Sequence, residues 1–433
     1  MTLTGRATLL ALGFVPLAWL AGDHGWVAVV ALSAVLLAAI GLDLALAANA
    51  RNVILERGGE TSVRLGDSVA SEVVLTNPGG RRLRARVRDA WPPSANPQPR
   101  QHHITVPGGE RRRLTTELAP IRRGDHHPSG ITVRSFGPLG LAARQCTHDV
   151  PGGVRALPPF HSRRHLPAKL SRLRELDGQQ RALIRGQGSE FDSLREYVAG
   201  DDVRSIDWRA TARSSTVVVR TWRPERNRRI LLVLDTSRTS AGRVGDTPRL
   251  DHAMDAALLL AALTMRAGDH TGLLAYDRRT QARVSNRGRS NSVSTLVQAM
   301  APLEPALVES DATGLVAAIL GGRDQGRQLV VLLTDLNTAA MEEGLLPVLP
   351  ALTSRHLVVV ASVSDPAVAE MAAGRGDAAA VYGAAAAERT RAERRRVTAE
   401  LRRHDVEVVD ADPDTIAPAL ADTYIALKAA GRL

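Results

Sequence analysis

Cysteine is almost absent: Cys146 is the only one in 433 residues. That excludes a disulfide scaffold, a multi-cysteine zinc site and an iron–sulfur cluster. A lone thiol with no local catalytic signature reads as inert and suits a reducing compartment. Aromatic residues make up 3%, too few for a platform that stacks single-stranded nucleic acid. Lysine is as scarce: of 56 Lys and Arg only Lys169 and Lys428 are lysines, so the net charge of +11 rests on arginine. An Arg- and Ala-rich, Lys-poor balance follows from genomic base composition, and no nucleic-acid partner is expected from charge alone. Also missing are a glycine-rich phosphate loop ending in lysine, a His-Glu-x-x-His helix and a Gly-x-Ser-x-Gly elbow. What remains, 44% hydrophobic and 23% charged, is a folded chain long enough for two or three domains.

Residues 1–50 stand apart. Leu9–Ala21 and Trp26–Leu42 are uncharged, separated by Gly22-Asp23-His24-Gly25. Seventeen helical residues rise about 25 Å, slightly short of a hydrocarbon core, so each segment is a marginal span. The expectation is a transmembrane helical hairpin with Trp19 and Trp26 near one interface. Its rivals are a long signal peptide cut near Ala48-Asn49-Ala50 and a buried helical pair. The turn has no Lys or Arg, whereas Arg6 precedes the hairpin and Arg51, Arg57 and Arg64 follow it. By the positive-inside rule both ends face the cytoplasm. The expected location is therefore the cell membrane, multi-pass through two helices, with cytoplasmic soluble domains.

Residues 51–157 read as β-structure. Short alternating runs recur at Thr61–Leu65, Ser71–Leu75, Leu83–Val87, His103–Val106, Arg113–Leu118, Gly130–Arg134 and Val154–Leu157. Turn signals such as Asn77-Pro78-Gly79-Gly80 separate them, and this spacing suggests an immunoglobulin-like β-sandwich. The pairs His102-His103 and His126-His127 read as exposed loop histidines, since adjacent strand residues face opposite sides.

Residues 158–229 form a basic connector. From 155 to 229 there are 17 Lys/Arg against 9 Asp/Glu, a net +8. Such a patch suits anionic lipid, at about 1 kcal/mol per well-placed cation, an acidic protein partner, or plain solvation. Inside it lie Gly188-Ser189-Glu190-Phe191-Asp192-Ser193-Leu194-Arg195-Glu196-Tyr197 and Gly200-Asp201-Asp202-Val203-Arg204-Ser205-Ile206-Asp207-Trp208-Arg209. Their interleaved arginines read as a buried ion-pair and capping network more readily than as a metal cluster.

Residues 230–433 alternate strand and helix. Ile230–Leu234, Leu329–Leu333 and Leu357–Ser362 are apolar throughout, the mark of strands buried on both faces, so the expectation is a doubly wound parallel α/β sheet. Ligands bind beyond the carboxyl ends of such strands. Asp235-Thr236-Ser237-Arg238-Thr239 follows the first strand, Asp335 the second, and Thr313 opens a helix between them. A hard divalent cation takes oxygen ligands, and Mg²⁺ keeps several waters beside one or two carboxylates. Asp235, Ser237, Thr239, Thr313 and Asp335 are the candidate metal ligands, Mg²⁺ the candidate ion, and turn capping by Asp235 and Asp335 the alternative.

The constellation resembles the metal-ion-dependent adhesion site (MIDAS) of von Willebrand factor A domains, Asp-x-Ser-x-Ser with a distant Thr and Asp; Thr239 replaces the second serine. Hairpin, β-region, the Glu190–Tyr197 and Gly200–Trp208 stretches and the α/β domain together resemble the DUF58 family of bacterial membrane-associated proteins. That resemblance implies a cytoplasmic von Willebrand A-like domain. It also implies association with MoxR-type AAA+ ATPases and transglutaminase-like membrane proteins. The expected function is a membrane-anchored, non-enzymatic adaptor that binds a protein partner through a divalent cation. The alternative is a metal-dependent hydrolase using that ion or Asp201, Asp202 and Asp207. Against it, His252 and His270 lack the spacing of a base and the site shows no general base.

Overall fold

The computed structural model describes residues 2–20, 22–183, 190–199, 201–223, 228–285, 292–322 and 326–433. Of the two signature stretches, Gly188, Ser189 and Gly200 lie outside the described residues. The chain divides into two compact units, Met1–Leu157 and Pro158–Leu433.

The first unit opens with β1 (Thr2–Leu3), α1 (Gly5–Leu12), α2 (Phe14–Leu20) and α3 (Gly25–Leu46). The 22 residues of α3 rise about 33 Å, past the expected end at Leu42 and enough for a hydrocarbon core. The stretch Gly22–Asn52 around it is the one helical segment among the described residues long and apolar enough to cross a membrane; Gly5–Leu20 is a shorter apolar helix. Leu9, Leu12, Val15, Trp19, Leu20 and Trp26 all stand exposed.

The strands that follow are β2 (Ile54–Gly59), β3 (Ser62–Arg64), β4 (Val69–Thr76), β5 (Leu83–Asp89), β6 (Pro97–Gln98), β7 (His102–Val106), β8 (Arg111–Leu118), β9 (Gly124–His126), β10 (Ile131–Phe136), β11 (Ala142–His148) and β12 (Val154–Leu157). They form antiparallel sheets β1-β11-β10-β5-β7 and β2-β4-β8-β6, with a third sheet β3-β12-β9. Period-two burial explains the packing. Val73, Leu75 and Leu114 of one large sheet meet Leu83, Ala85, Val87, Ile131 and Val133 of the other in a shared core, which makes a β-sandwich. Between the sheets Arg57 pairs with Asp89 at 2.8 Å, beneath the Trp91 ring.

Three of the four histidines expected in exposed loops are instead partnered, His127 through the Gly152 carbonyl at 3.1 Å. His102 meets Thr116 Oγ1 at 2.9 Å, and buried His126 meets the Arg122 carbonyl at 2.9 Å. Their neighbours His103 and His127 are exposed, as strand alternation requires. Cys146 is free and packs against the core.

The second unit begins with α4 (Leu166–Leu183), the antiparallel hairpin β13 (Glu190–Glu196) and β14 (Val218–Arg223), and α5 (Trp208–Thr211) between them. The carboxylates here are spent locally. Asp201 accepts from Arg195 at 2.6 Å and from the Val198 N–H; Asp207 caps α5 and accepts from Arg220 at 2.8 Å. These bonds hold both carboxyls below the ordinary aspartate range. The network is the expected kind, but it lies at the surface rather than buried.

A mixed sheet follows: β15 (Arg229–Asp235), β18 (His270–Tyr276), β19 (Thr280–Val284), β20 (Leu329–Leu333), β21 (Leu357–Val363) and β22 (Val406–Ala411), with a small hairpin of β16 (Arg243–Val244) and β17 (Thr247–Pro248) apart from it. The order is β19-β18-β15-β20-β21-β22; every pairing but β18–β19 is parallel. Helices cover both faces: α7 (Arg249–Arg266) and α13 (Ile416–Ala429) one, α9 (Ala312–Leu320), α10 (Leu349–Thr353) and α12 (Ala378–Arg403) the other. The chain steps from β15 to one neighbour, then crosses to β20 on the opposite side. The switch point therefore lies between the carboxyl ends of β15 and β20.

Burial holds His252 and His356 below the ordinary histidine range. Both take up a proton less readily in the fold than in the unfolded chain, so the stability they leave intact above about pH 6.5 is lost as pH falls below it. Asp255 opposes them: burial raises its carboxyl, and protonation relieves that cost as pH falls. The second unit is expected to melt at a lower temperature at pH 5 than at pH 7. In a His252→Asn/His356→Asn variant that slope should flatten or reverse, as scanning calorimetry would read; an unchanged slope would assign it to other groups.

Candidate metal and ligand site at the sheet switch point

Asp235 closes β15, the central strand, and its carboxylate organises the turn that follows. Oδ1 accepts from the Ser237 N–H at 2.8 Å, and Oδ2 accepts from Thr239 Oγ1 at 2.8 Å. The Ser237 and Thr239 hydroxyls are 3.0 Å apart. A third hydroxyl comes from across the switch point, where Thr334 Oγ1 donates to Asp235 Oδ2 at 2.7 Å. Four oxygen-bearing side chains thus converge on the end of one buried strand. The i, i+2, i+4 spacing achieves this because the strand stops at Asp235 and Arg238 starts the short helix α6 (Arg238–Ala241).

Beside this cluster opens a cavity of about 270 Å³. Val233, Leu315, Leu332, Met341 and Leu345 give it an apolar floor, while Asp235, Arg238, Thr239, Glu309, Ser310, Thr334 and Asn337 form its polar lining.

Asp335 has a different setting. Arg394 Nη1 donates to its Oδ1 at 2.7 Å and Arg249 Nη1 to its Oδ2 at 3.3 Å, so both oxygens face guanidinium groups. Arg394, from α12, also donates to Ser362 Oγ at 2.8 Å and to Asp410 at 2.6 Å. Burial works against its charge, but Asp410 and Asp335 outweigh it and hold the guanidinium above its ordinary range. Thr313 sits exposed in the first turn of α9 and does not line the cavity.

Of the five candidates, then, Asp235, Ser237 and Thr239 are gathered, Asp335 is held in ion pairs, and Thr313 is not among the residues that line the cavity. Among the described residues no three His, Cys, Asp or Glu side chains group to hold a metal. The hard oxygen donors of Asp235, Ser237 and Thr239 fit a cation that takes one carboxylate and otherwise water. Sequence reasoning stopped one residue short at Thr334, beside Asp335. It also missed Asp277, directly after β18, which accepts from the N–H of Arg279 at 3.1 Å and from Gln281 at 2.7 Å. Burial pushes the Asp277 carboxyl up, and these donors outweigh it and hold it below the usual range.

Fold and site define a two-unit chain: an apolar helix with a β-sandwich, then a doubly wound sheet with a hydroxyl–carboxylate cluster at its switch point. Residues 193–407 match the family described as "Protein of unknown function DUF58". An uncharacterized protein of Mycobacterium tuberculosis is 30% identical over 198 residues, 45% of this chain and 61% of the relative. The uncharacterized protein YeaD of Bacillus subtilis is 26% identical over 124 residues, 28% of this chain and 30% of its own. The chain thus spans less than two thirds of the length of these curated relatives. Among solved structures, the CARDB domain of a Pyrococcus furiosus protein resembles 24% of the chain at 15% identity, with a TM-score of 0.19.

Proposed function

We propose that the chain is a membrane-anchored adaptor rather than an enzyme, and that its second unit works as a von Willebrand A-like domain. In this reading Asp235, Ser237 and Thr239 hold a divalent cation, Mg²⁺ by the hardness of the donors, and an acidic side chain of a protein partner completes its coordination. Asp335 then orients Arg249 and Arg394 at the rim. The observation that carries the reading is the convergence of the Asp235 carboxylate with three hydroxyls at the switch point, open to a cavity of about 270 Å³. In this reading the cluster's one carboxylate, Asp235, is taken up as a cation ligand, which favours binding over turnover. The partner proposed is a MoxR-type AAA+ ATPase, with a transglutaminase-like membrane protein as a second associate; both follow from the DUF58 resemblance. The apolar α1–α2 and α3 segments form the anchor, a hairpin of two spans at the cell membrane with the soluble units cytoplasmic.

The test is affinity purification from detergent-solubilised membranes, using wild type and Asp235→Ala, each in Mg²⁺ or EDTA. An ATPase recovered by wild type in Mg²⁺, and reduced at least about tenfold in the other three conditions, is the expected result; tenfold corresponds to about 1.4 kcal/mol of binding. Equal recovery in all four would move the binding surface away from Asp235.

A further inference from the structure

The outer face of the sheet β1-β11-β10-β5-β7 carries cations and no acid. On β5, Leu83, Ala85 and Val87 point into the core, so Arg84, Arg86 and Arg88 stand on the opposite face. The register sets Arg134 of β10 directly opposite Arg86, with His103 of β7 on its other side. The remaining outward positions of β7, β10 and β11 are Thr105, Thr132, Phe136, Ala143, Gln145 and Thr147. Like charges facing each other across a ladder are unfavourable, and no carboxylate on this face offsets them. Arg134 donates to the neutral Gln145 amide oxygen at 2.9 Å. Arg86 lies over the Phe136 ring, and its buried Nε has no hydrogen-bond partner.

Position gives the face its meaning. The end of this sheet bearing Arg84 and Phe136 is the end fastened to α3. There the Asp43 carboxylate accepts from the Leu139, Leu141 and Ala142 N–H groups, Arg144 Nε donates to the Leu44 carbonyl, and Arg81 donates to the Ala45 carbonyl. Where α3 ends, the arginine-bearing face begins. At about 3.4 Å per residue, Arg86 lies roughly 7 Å and Arg88 roughly 14 Å beyond Arg84 from that end.

We propose that this face is a lipid-contact surface, with Arg84, Arg86 and Arg134 binding the phosphates of anionic headgroups next to the α3 anchor. The proposal rests on the reading that α3 crosses a membrane. An anionic leaflet attracts juxtamembrane cations over about a Debye length, so contact should decline along β5 from Arg84 to Arg88. Guanidinium forks suit phosphate because they donate in pairs.

Arginine footprinting of the full chain with phenylglyoxal, read by mass spectrometry, tests it in nanodiscs of phosphatidylcholine alone or with about a quarter phosphatidylglycerol. Modification of Arg84, Arg86 and Arg134 is expected to slow about fivefold in the anionic discs, with Arg88 slowed less. The protection should vanish near 1 M salt, where the screening length is about 3 Å. Equal rates in the two discs overturn the proposal while leaving the anchor intact. Protection in neutral discs by inorganic phosphate alone also overturns it, assigning the face to a soluble anion. A chain that fails to enter nanodiscs at all overturns the anchor and the lipid surface together.

Discussion

Replacing Asp43 by alanine is expected to destabilise the sandwich unit by about 3 kcal/mol or more, the larger effect on that unit of any single substitution considered for it. The carboxylate is fully buried and sits three residues before the end of α3. It accepts from the N–H groups of Leu139 at 2.8 Å, Leu141 at 2.8 Å and Ala142 at 3.0 Å. A charged acceptor makes such bonds stronger than neutral ones, and each buried donor left without a partner costs about 1–3 kcal/mol. Alanine would orphan three donors at once. Water that reaches Leu139, which is exposed, keeps the total at the low end of the sum. For a unit of this size about 3 kcal/mol lowers the melting temperature by roughly 6–12 °C. Asp43→Asn keeps the shape and one acceptor, and should fall between. Thermal unfolding in detergent micelles reads both. A shift within about 1 °C for Asp43→Ala would mean the loop 137–141 finds other acceptors and the helix is not held by this carboxylate.

Asp43 was invisible in the sequence because it looks like the polar residue that ends an apolar run. Nothing local says that three amides some hundred residues later converge on it. Strands with apolar residues on both faces, such as Ile230–Leu234 and Leu357–Ser362, were legible because burial on two sides leaves no room for alternation. The strand β11 was not: Ala-Ala-Arg-Gln-Cys-Thr-His has little hydrophobic signal, and its register is imposed by pairing with β10. In the candidate site the same division holds. Asp235, Ser237 and Thr239 were legible as a unit because one turn carries all three. Thr334 contributes through a parallel neighbour, so only the sheet order reveals which residue of Thr334-Asp335 faces Asp235. Thr313 follows a long irregular segment, which leaves its position to loop geometry that no spacing rule fixes.

Arg394 is the extreme case of illegibility, and its removal carries the second large expected effect. It lies in Glu388-Arg389-Thr390-Arg391-Ala392-Glu393-Arg394-Arg395-Arg396, where every cation looks like part of a solvated helix face. Arg389, Arg391, Arg395 and Arg396 are indeed exposed in surface pairs. Arg394 alone among them turns inward, with 15% of its side chain exposed, and bridges Asp335, Ser362 and Asp410 at three successive strand ends. Arg394→Met keeps the length and removes the charge. It leaves Asp335 with only the longer Arg249 and Ser362 contacts, at 3.3 and 3.4 Å, and takes from Asp410 its guanidinium partner. Breaking one side of a buried pair costs about 3–5 kcal/mol, because the stranded charges remain. The second unit should therefore melt roughly 6–15 °C lower. Adding Asp335→Asn and Asp410→Asn to Arg394→Met should recover part of the loss, since the removed groups belong to one network. If each substitution only adds to the damage, the carboxylates have roles beyond holding Arg394. The same variant separates the two aspartates of the candidate site. If Asp235, Ser237 and Thr239 hold the cation and Asp335 only positions arginines, Mg²⁺ should raise the melting temperature of Arg394→Met no more than that of wild type. A larger gain in the variant would show that Asp335, once freed from Arg394, supplies an oxygen to the ion, and that the arginine competes with the metal for it.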